Sequence, residues 1–249
     1  MNEIKSPLNY DHYLFILAHP DDEIYTCVFI SELIKLGKKV DIIYITSGDY
    51  NGAEVAIERE RELENSMKII GVKKENVHLL QVPERQLMDK DLETRDNLLS
   101  LSKQLNPDCV IGHDFEGGHN GHDLVSFFAS RVAQELKIPL LVFPAYHGWP
   151  ENRQWNKFIL EKNTDYELNF TDEQKQLQKN VMASHKTQEN FMSLILNSAD
   201  YGLFNSREIL RYVSDFIDYK IPPENPLGYE FPGSKIKFED FKKIIESLG

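Results

Sequence analysis

The feature that most constrains the fold is an alternation, over the first 145 residues, of short apolar runs with longer segments of helical periodicity. Residues 13–18 (YLFILA), 40–46 (VDIIYIT) and 139–143 (PLLVF) are too short for apolar helices and predict buried strands. The charged amphipathic segment 54–70 predicts a helix that ends at Gly71. Continuous apolar strands joined by helices are typical of a parallel sheet covered on both faces. The pattern therefore predicts a Rossmann-like three-layer α/β/α sandwich with a mostly parallel sheet.

The other elements of this half follow from the same signals. Further strands are predicted at 77–80 and 109–112, and helices at 22–36, 91–105 and 123–136. With the strand order 3-2-1-4-5, strands one and four are neighbours at the point where strand order reverses. Ligands of open α/β sheets bind at that point, beyond the carboxyl ends of the strands.

The alternation of short apolar runs and helical segments changes after residue 145. Helical patterns run over 172–196, with Thr187 as the place where that helix would break, over 206–217, and from Phe238 onward. We predict one domain over residues 1–249, with a core of about residues 10–200. Residues 201–249 are predicted to be a C-terminal extension packed on this core, so that the additions to the sheet are helical.

Charge and composition exclude some classes of partner. The net charge is −12, and no Lys/Arg cluster provides the basic surface that nucleic-acid binding requires. No apolar run approaches the roughly 18 residues of a membrane span. The first residues, MNEIKSPLNYDH, lack the apolar region of a signal peptide, and Cys27 and Cys109 are expected to be buried thiols. We therefore expect a cytoplasmic chain, without nucleic-acid partners or a membrane span; the sequence does not predict its oligomeric state.

Two polar clusters follow strands one and four, and both contain metal-binding residue types. Residues 18–23 read AHPDDE and residues 113–123 read HDFEGGHNGHD. Two histidines and a carboxylate, with a position left for water, form a typical catalytic zinc set. Asp21 lies between potential ligands and is placed to act as a general base. Each cluster alone also fits a simpler interpretation, a turn with a helix cap for the first and a glycine-rich loop for the second.

Other histidines and motifs are weaker evidence for a functional site. His78 is predicted to be a core or edge histidine whose hydrogen bonds are satisfied, and His185 is predicted to hold a late helix against the site. For His113 the sequence fits two roles equally well, a position behind the metal ligands and an ordinary hydrogen bond within the loop. Tyr146, His147 and Trp149 are candidates for a wall that contacts a sugar. No Gly-x-Gly-x-x-Gly follows strand one, which disfavours a nucleotide-dependent oxidoreductase or transferase.

The motifs resemble those of one family, the PIG-L/LmbE-like N-acetylglucosaminyl deacetylases. AHPDDE at 18–23 resembles the family signature, and TSGD at 46–49 its loop after strand two. Arg59-x-x-Glu62 resembles a motif of the following helix, GHNGH at 118–122 the second histidine motif, and HKTQ at 185–188 a late motif. The matches run from about residue 12 to 190 in the family's order.

The resemblance implies zinc-dependent removal of the acetyl group from an N-acetylglucosamine-type sugar conjugate, a small molecule, with release of acetate and an amino sugar. One Zn²⁺ per chain is implied, with another divalent metal such as Fe²⁺ as an alternative. The implied roles are metal ligation by His19, Asp22 and His122, catalysis by Asp21 as general base and His119 as a protonated electrophile or acid, and substrate binding by Arg59 and Glu84. Alternatives are an amidase for a longer N-acyl or non-sugar substrate, and a sugar-binding homologue with impaired catalysis.

One position departs from the family pattern. The residue before the last metal histidine is usually Asp or Asn, a side chain that can orient the catalytic histidine, and here it is Gly121. We expect Asp114, Glu116 or Asp123 to take over that role. The departure bears on the protonation of His119 more than on metal binding.

Overall fold

The computed structural model describes residues 6–89, 91–159, 164–213 and 217–248. Its strands are β1 (His12–Leu17), β2 (Lys39–Thr46), β3 (Val77–Val82), β4 (Cys109–His113), β5 (Leu140–Phe143), β6 (Tyr146–His147), β7 (Gln154–Trp155), β8 (Tyr166–Asn169) and β9 (Arg207–Tyr212). Its helices are α1 (Cys27–Lys35), α2 (Ala53–Ile70), α3 (Asp91–Leu105), α4 (Asn120–Leu136), α5 (Asp172–Ser184), α6 (Glu189–Leu196), α7 (Tyr201–Phe204) and α8 (Phe238–Leu248).

The central sheet has the order β3-β2-β1-β4-β5-β9-β8. The first five strands in this order are parallel neighbours, and β9 and β8 extend the sheet with antiparallel pairings. The predicted order 3-2-1-4-5 is therefore confirmed. Because Ile16 of β1 pairs with Gly112 of β4, the polar segments that follow these two strands leave the sheet side by side.

The core lies on both faces of the sheet, because successive side chains of a strand point to opposite faces. Tyr13, Phe15 and Leu17 pack into one cluster, whereas Leu14 and Ile16 pack into the other, and all are fully buried. Helices α1, α2 and α5 contact one another, as do α3 and α4, and α4 and α8. These contacts and the two clusters confirm the predicted three-layer sandwich.

The helix predicted over residues 206–217 is wrong. Residues 207–212 form β9, which pairs with β5 and β8, while residues 214–216 lie outside the described part of the chain. Ile209 and Leu210 are adjacent buried residues, a short apolar run that fits a helix or a strand equally well. Strand pairing with β5, a contact distant in sequence, decides between them. The additions after residue 145 are thus partly strands and partly helices.

Two helix boundaries bear on the site. Helix α4 begins at Asn120 rather than at the predicted residue 123, because the side chain of His119 caps it by accepting a hydrogen bond from the backbone N–H of Gly121. The predicted break near Thr187 is confirmed, since α5 ends at Ser184 and α6 begins at Glu189. Among the residues that the structure describes, no helix combines the length and apolar character needed to cross a bilayer.

Candidate active site

A cleft of about 240 Å³ lies at the carboxyl ends of β1 and β4. Its lining residues are His19, Asp21, Asp22, Arg59, Glu84, His119, His122, Tyr146, Arg153, Gln188 and Phe191. The structure thus brings together all seven residues selected from the sequence, although they come from segments up to about 100 positions apart.

The implied metal ligands are close neighbours. An oxygen of Asp22 lies 3.1 Å from Nε2 of His122, and its other oxygen lies 3.4 Å from Nδ1 of His19. The ring centres of His19 and His122 are 5.3 Å apart, and ligand atoms of His19, His119 and His122 all lie within 4.8 Å of one another. These distances are short enough for one ion to bridge imidazoles from both polar clusters.

His113 belongs to a second group, with Asp22 and His122, that could also hold a metal ion. Its ring stacks on that of His122 with centres 4.1 Å apart, and its Nε2 lies 3.2 Å from Asp22. His113 is fully buried and does not line the cleft. Its position is therefore behind the residues that substrate can reach, which is the first of the two roles considered for it.

The donor set and its unpaired atoms fit a metal. Nε2 of His19 and Nδ1 of His122 are buried and lack a hydrogen-bond partner among the described residues. Burial, with His113 nearby, lowers the pKa of His122 to about 3. Burial opposes the charged form of Asp22, yet His122, His113 and His19 hold its pKa well below the usual range. A neutral imidazole beside an ionised carboxylate is the protonation state that metal binding requires.

Asp21 is paired with Arg59. The Nη2 group of Arg59 donates to Asp21 Oδ1 at 2.8 Å and to the carbonyl of Pro20 at 3.0 Å, and both charged side chains are buried. Burial raises the pKa of Asp21 to about 6, and the guanidinium of Arg59 opposes that increase. Arg59 lines the cleft, but its guanidinium is already engaged with the carboxylate predicted to be the base.

His119 is oriented by backbone rather than by a carboxylate. The N–H of Gly121 donates to His119 Nδ1 at 3.1 Å, so this nitrogen carries no proton. Burial, together with the nearby His19 and His122, holds the pKa of His119 well below its usual range. The contact and the lowered pKa favour a neutral ring with its proton on Nε2 over the predicted protonated form.

Glycine at position 121 has a steric role. A Cβ built there would lie 3.0 Å from His119 Nδ1 and 3.4 Å from His19 Cε1, closer than most Cβ contacts. The absence of a side chain lets the backbone approach the imidazole closely enough to donate to it. This contact replaces the orienting side chain that the family pattern carries here.

The three acids expected to orient His119 in place of the family's Asp or Asn form hydrogen bonds with other groups. Asp114 accepts two hydrogen bonds of 2.8 Å from Arg211. Asp123 accepts from the N–H of Gly117 at 3.0 Å, and Glu116 accepts from the N–H groups of Ala145 and Tyr146 at 2.9 and 3.0 Å. All three acids are buried and hold the segment 113–123 in place. The expectation that one of them orients His119 is wrong.

A buried pair, His185 and Glu23, connects the AHPDDE segment to the end of α5. His185 Nε2 lies 2.7 Å from Glu23 Oε1, and both side chains are fully buried. Tyr44 and Ser66 also donate to this carboxylate. The contact confirms the predicted role of His185, which joins the end of α5 to the segment that carries His19 and Asp22. His78 is likewise satisfied as predicted, with Nε2 2.9 Å from Asp41.

Residues after position 145 form one wall of the cleft. Tyr146 lines it as expected, but His147 pairs with Glu224 at 3.0 Å and Trp149 is not among the lining residues. The lining residues that the sequence did not predict are Arg153, Gln188 and Phe191. Gln188 ends the HKTQ motif, which was a signal for it; Arg153 and Phe191 belong to no recognised pattern.

The fold and the site define a Rossmann-like α/β protein with a histidine–carboxylate cleft at the switch point of its sheet. The PIG-L family model, described as GlcNAc-PI de-N-acetylase, matches residues 14–133. This segment includes AHPDDE and the second histidine motif, so the match confirms the resemblance to the PIG-L/LmbE-like family inferred from them.

A curated relative shows the same resemblance. A probable N-acetylglucosaminyl-phosphatidylinositol de-N-acetylase from Dictyostelium discoideum is 33% identical over 130 residues, 49% of this chain and 48% of that protein. The match thus spans about half the length of the curated relative.

Solved structures share the fold. The N,N'-diacetylchitobiose deacetylase from Pyrococcus horikoshii superimposes with a TM-score of 0.62 at 18% identity, covering 89% of this chain and 88% of the other. The 4-carboxy-2-hydroxymuconate hydratase GalB from Pseudomonas putida gives a TM-score of 0.58 at 15% identity, covering 83% of this chain and 98% of the other. Because a hydratase and a deacetylase share it, the fold alone does not define the reaction.

Proposed function

We propose that this chain is a metal-dependent hydrolase that removes the acetyl group from an N-acetylglucosamine-type sugar conjugate, releasing acetate and an amino sugar. One observation carries the proposal: His19, Asp22 and His122 converge in one cleft with Asp21 beside them. Two imidazoles and one carboxylate are a donor set of catalytic zinc sites. We assign one Zn²⁺ per chain, with Fe²⁺ as an alternative cation for the same donors.

The proposed ligands are His19, Asp22 and His122. When bound, the cation would supply Lewis acidity toward the amide carbonyl and water. His113 would hold the Asp22 carboxylate in place through their 3.2 Å contact. We choose this set over Asp22, His113 and His122 because only the former lies entirely at the cleft surface.

Asp21 is the proposed general base. Its carboxylate takes a proton from the water that attacks the amide carbon, and the proton is later delivered to the nitrogen as the C–N bond breaks. Arg59 fixes the orientation of this carboxylate through the 2.8 Å contact and favours its ionised form. General acid–base groups of this kind typically contribute about 10²–10⁴-fold to the rate.

His119 is the proposed electrophile. With Nδ1 occupied by the Gly121 N–H, its Nε2–H is available to donate to the oxygen that becomes negative in the tetrahedral intermediate. A neutral histidine stabilises this oxygen by a hydrogen bond rather than by a full charge. Glu84 is a proposed substrate contact, since its Oε2 is buried without a partner in the described residues and the side chain lines the cleft.

The names of the relatives support an acetylated amino sugar as substrate. The curated relative and the Pyrococcus structure are both named as enzymes that deacetylate N-acetylglucosamine-containing compounds. The aromatic rings of Tyr146 and Phe191 are suited to contact the apolar face of a sugar ring.

The test is release of free amine from a panel of N-acetylglucosamine conjugates, measured with added zinc and after treatment with a chelator. We expect amine and acetate in equal amounts, loss of both with chelator, and recovery with zinc. The corresponding glucosides, which lack the amide, are the control. Amine release only from longer N-acyl or non-sugar amides would favour the amidase alternative, and sugar binding without hydrolysis would favour an impaired homologue.

A further inference from the structure

Arg153 enters the cleft from the connection between β6 and β7, and no acidic side chain of the described residues pairs with it. Its guanidinium carbon lies 4.7 Å from the ring centre of Tyr146 and 5.4 Å from that of Trp155. Its Nε is buried and, within the described residues, has no hydrogen-bond partner. A buried donor on a charged group is costly to leave unpaired, and in Arg153, unlike Arg59 and Arg211, no carboxylate of the described residues binds the rest of the guanidinium.

Two other arginines of this region pair with carboxylates. Arg59 pairs with Asp21 at 2.8 Å, and Arg211 pairs with Asp114 at 2.8 Å. The chain carries 40 acidic against 28 basic residues, so carboxylates are abundant. Arg153 is therefore an exception, because it lines the cleft and pairs with none of the described carboxylates.

The stacked geometry is suited to binding an anion. Rings that contact the faces of a guanidinium leave its N–H edges free in the plane of the group. Those edges match the oxygens of a carboxylate or phosphate and can form two parallel hydrogen bonds. Tyr146 and Trp155, both buried, restrict the side chain to few conformations, which lowers the entropy that a ligand must remove.

We propose that Arg153 binds a carboxylate or phosphate group carried by the substrate, so that the cleft selects N-acetylated amino sugar conjugates with an anionic substituent. This inference rests on the proposed function for the reaction, while anion binding itself does not depend on turnover. Arg153 is then a specificity residue, and it takes no part in bond making or breaking.

The experiment compares three ligands with the zinc-loaded full chain: neutral methyl N-acetylglucosaminide, carboxymethyl N-acetylglucosaminide, and N-acetylglucosamine 1-phosphate. Both kcat/KM and, by calorimetry, Kd are measured. We expect an anionic ligand to be preferred over the neutral one by at least about 10-fold, the scale of a charge-assisted hydrogen bond. The two anionic ligands distinguish a carboxylate from a phosphate.

Variants at position 153 test whether Arg153 causes the preference for anionic ligands. In Arg153→Met, which keeps much of the apolar contact, the anionic-to-neutral ratio should fall toward one, and Arg153→Lys should restore part of it. Arg131→Met is the matched control, because Arg131 stacks 5.1 Å over Phe127 outside the cleft and carries the same charge. A ratio normalises for any general loss of stability in the variants.

Each outcome separates this inference from the proposed function. A ratio near one in the unmodified chain, or a ratio that survives Arg153→Met, overturns the role of Arg153 even if all three ligands are deacetylated. An Arg153-dependent preference in Kd without release of amine supports the anion site and overturns the proposed reaction instead.

Discussion

The two sides of the cleft are built differently. The side from β1 to β4 carries His19, Asp21, Asp22, His119 and His122 on segments that directly follow parallel strands. The side after residue 145 carries Tyr146 and Arg153 on a short hairpin and Gln188 and Phe191 at the start of α6. Potential ligands and acid–base groups lie where the sheet fixes the backbone, whereas aromatic, amide and guanidinium groups form the opposite wall.

Buried contacts join the two sides. Glu116 accepts from the backbone of Ala145 and Tyr146, and Glu23 pairs with His185. At position 118 a Cβ would lie only 1.8 Å from the carbonyl oxygen of Tyr146, so only glycine fits where the two segments cross. We therefore expect changes on the first side to affect metal binding and rate, and changes on the second side to affect substrate affinity. Four predictions test this division, from the largest expected effect to the smallest.

His122→Ala should abolish metal retention and turnover, because His122 is common to both groups that could hold an ion. Metal content is measured by mass spectrometry after gel filtration. His147→Ala is the matched control, since His147 is also a buried imidazole but pairs with Glu224; it should retain the metal. Stoichiometric metal in His122→Ala would show that the donor set is wrong.

Asp21→Asn should keep the metal and lower kcat by at least about 10²-fold, because an amide cannot accept the proton of the attacking water. Steady-state rates are compared at equal metal content. Undiminished turnover would remove Asp21 from the role of base.

Arg59→Met should shift the acid limb of the pH profile of kcat/KM. Asp21 must be ionised to act, and its pKa is about 6, so activity is lost as pH falls through that region. Removing the neighbouring positive charge raises this pKa, and the limb should move to higher pH by about one unit or more. Arg59→Lys, which keeps a charge, should give an intermediate shift; an unmoved limb in both variants would exclude this coupling.

Phe191→Ala should raise KM by about 2- to 12-fold with little change in kcat, as expected for loss of ~0.5–1.5 kcal/mol of aromatic contact with a sugar. Initial rates over a range of substrate concentrations give the two constants. Leu194→Ala is the control on the same helix, since Leu194 is 54% exposed and should leave both constants unchanged. A fall in kcat comparable to that of Asp21→Asn would contradict the division between the two sides.

Much of the first side could be predicted from sequence because its signals are local. The apolar runs that become β1 to β5 predict their own burial, and a parallel sheet brings their carboxyl ends to one edge. Histidines and carboxylates that directly follow β1 and β4 must then lie close together, as His19 and His122 do. The second side lacks such a rule, and the helix predicted over 206–217 was wrong for that reason.

The sequence by itself determined the sandwich, the strand order and the residues that could hold a metal, because each depends on periodicity within a segment and on a general rule of topology. The tertiary structure alone decided that β9 extends the sheet, that a backbone N–H orients His119, and that Arg153 stacks on Tyr146 in the cleft. Such features depend on distances between particular atoms after packing. A residue pattern does not encode those distances locally, since the groups that meet are fixed by the packing of the whole chain.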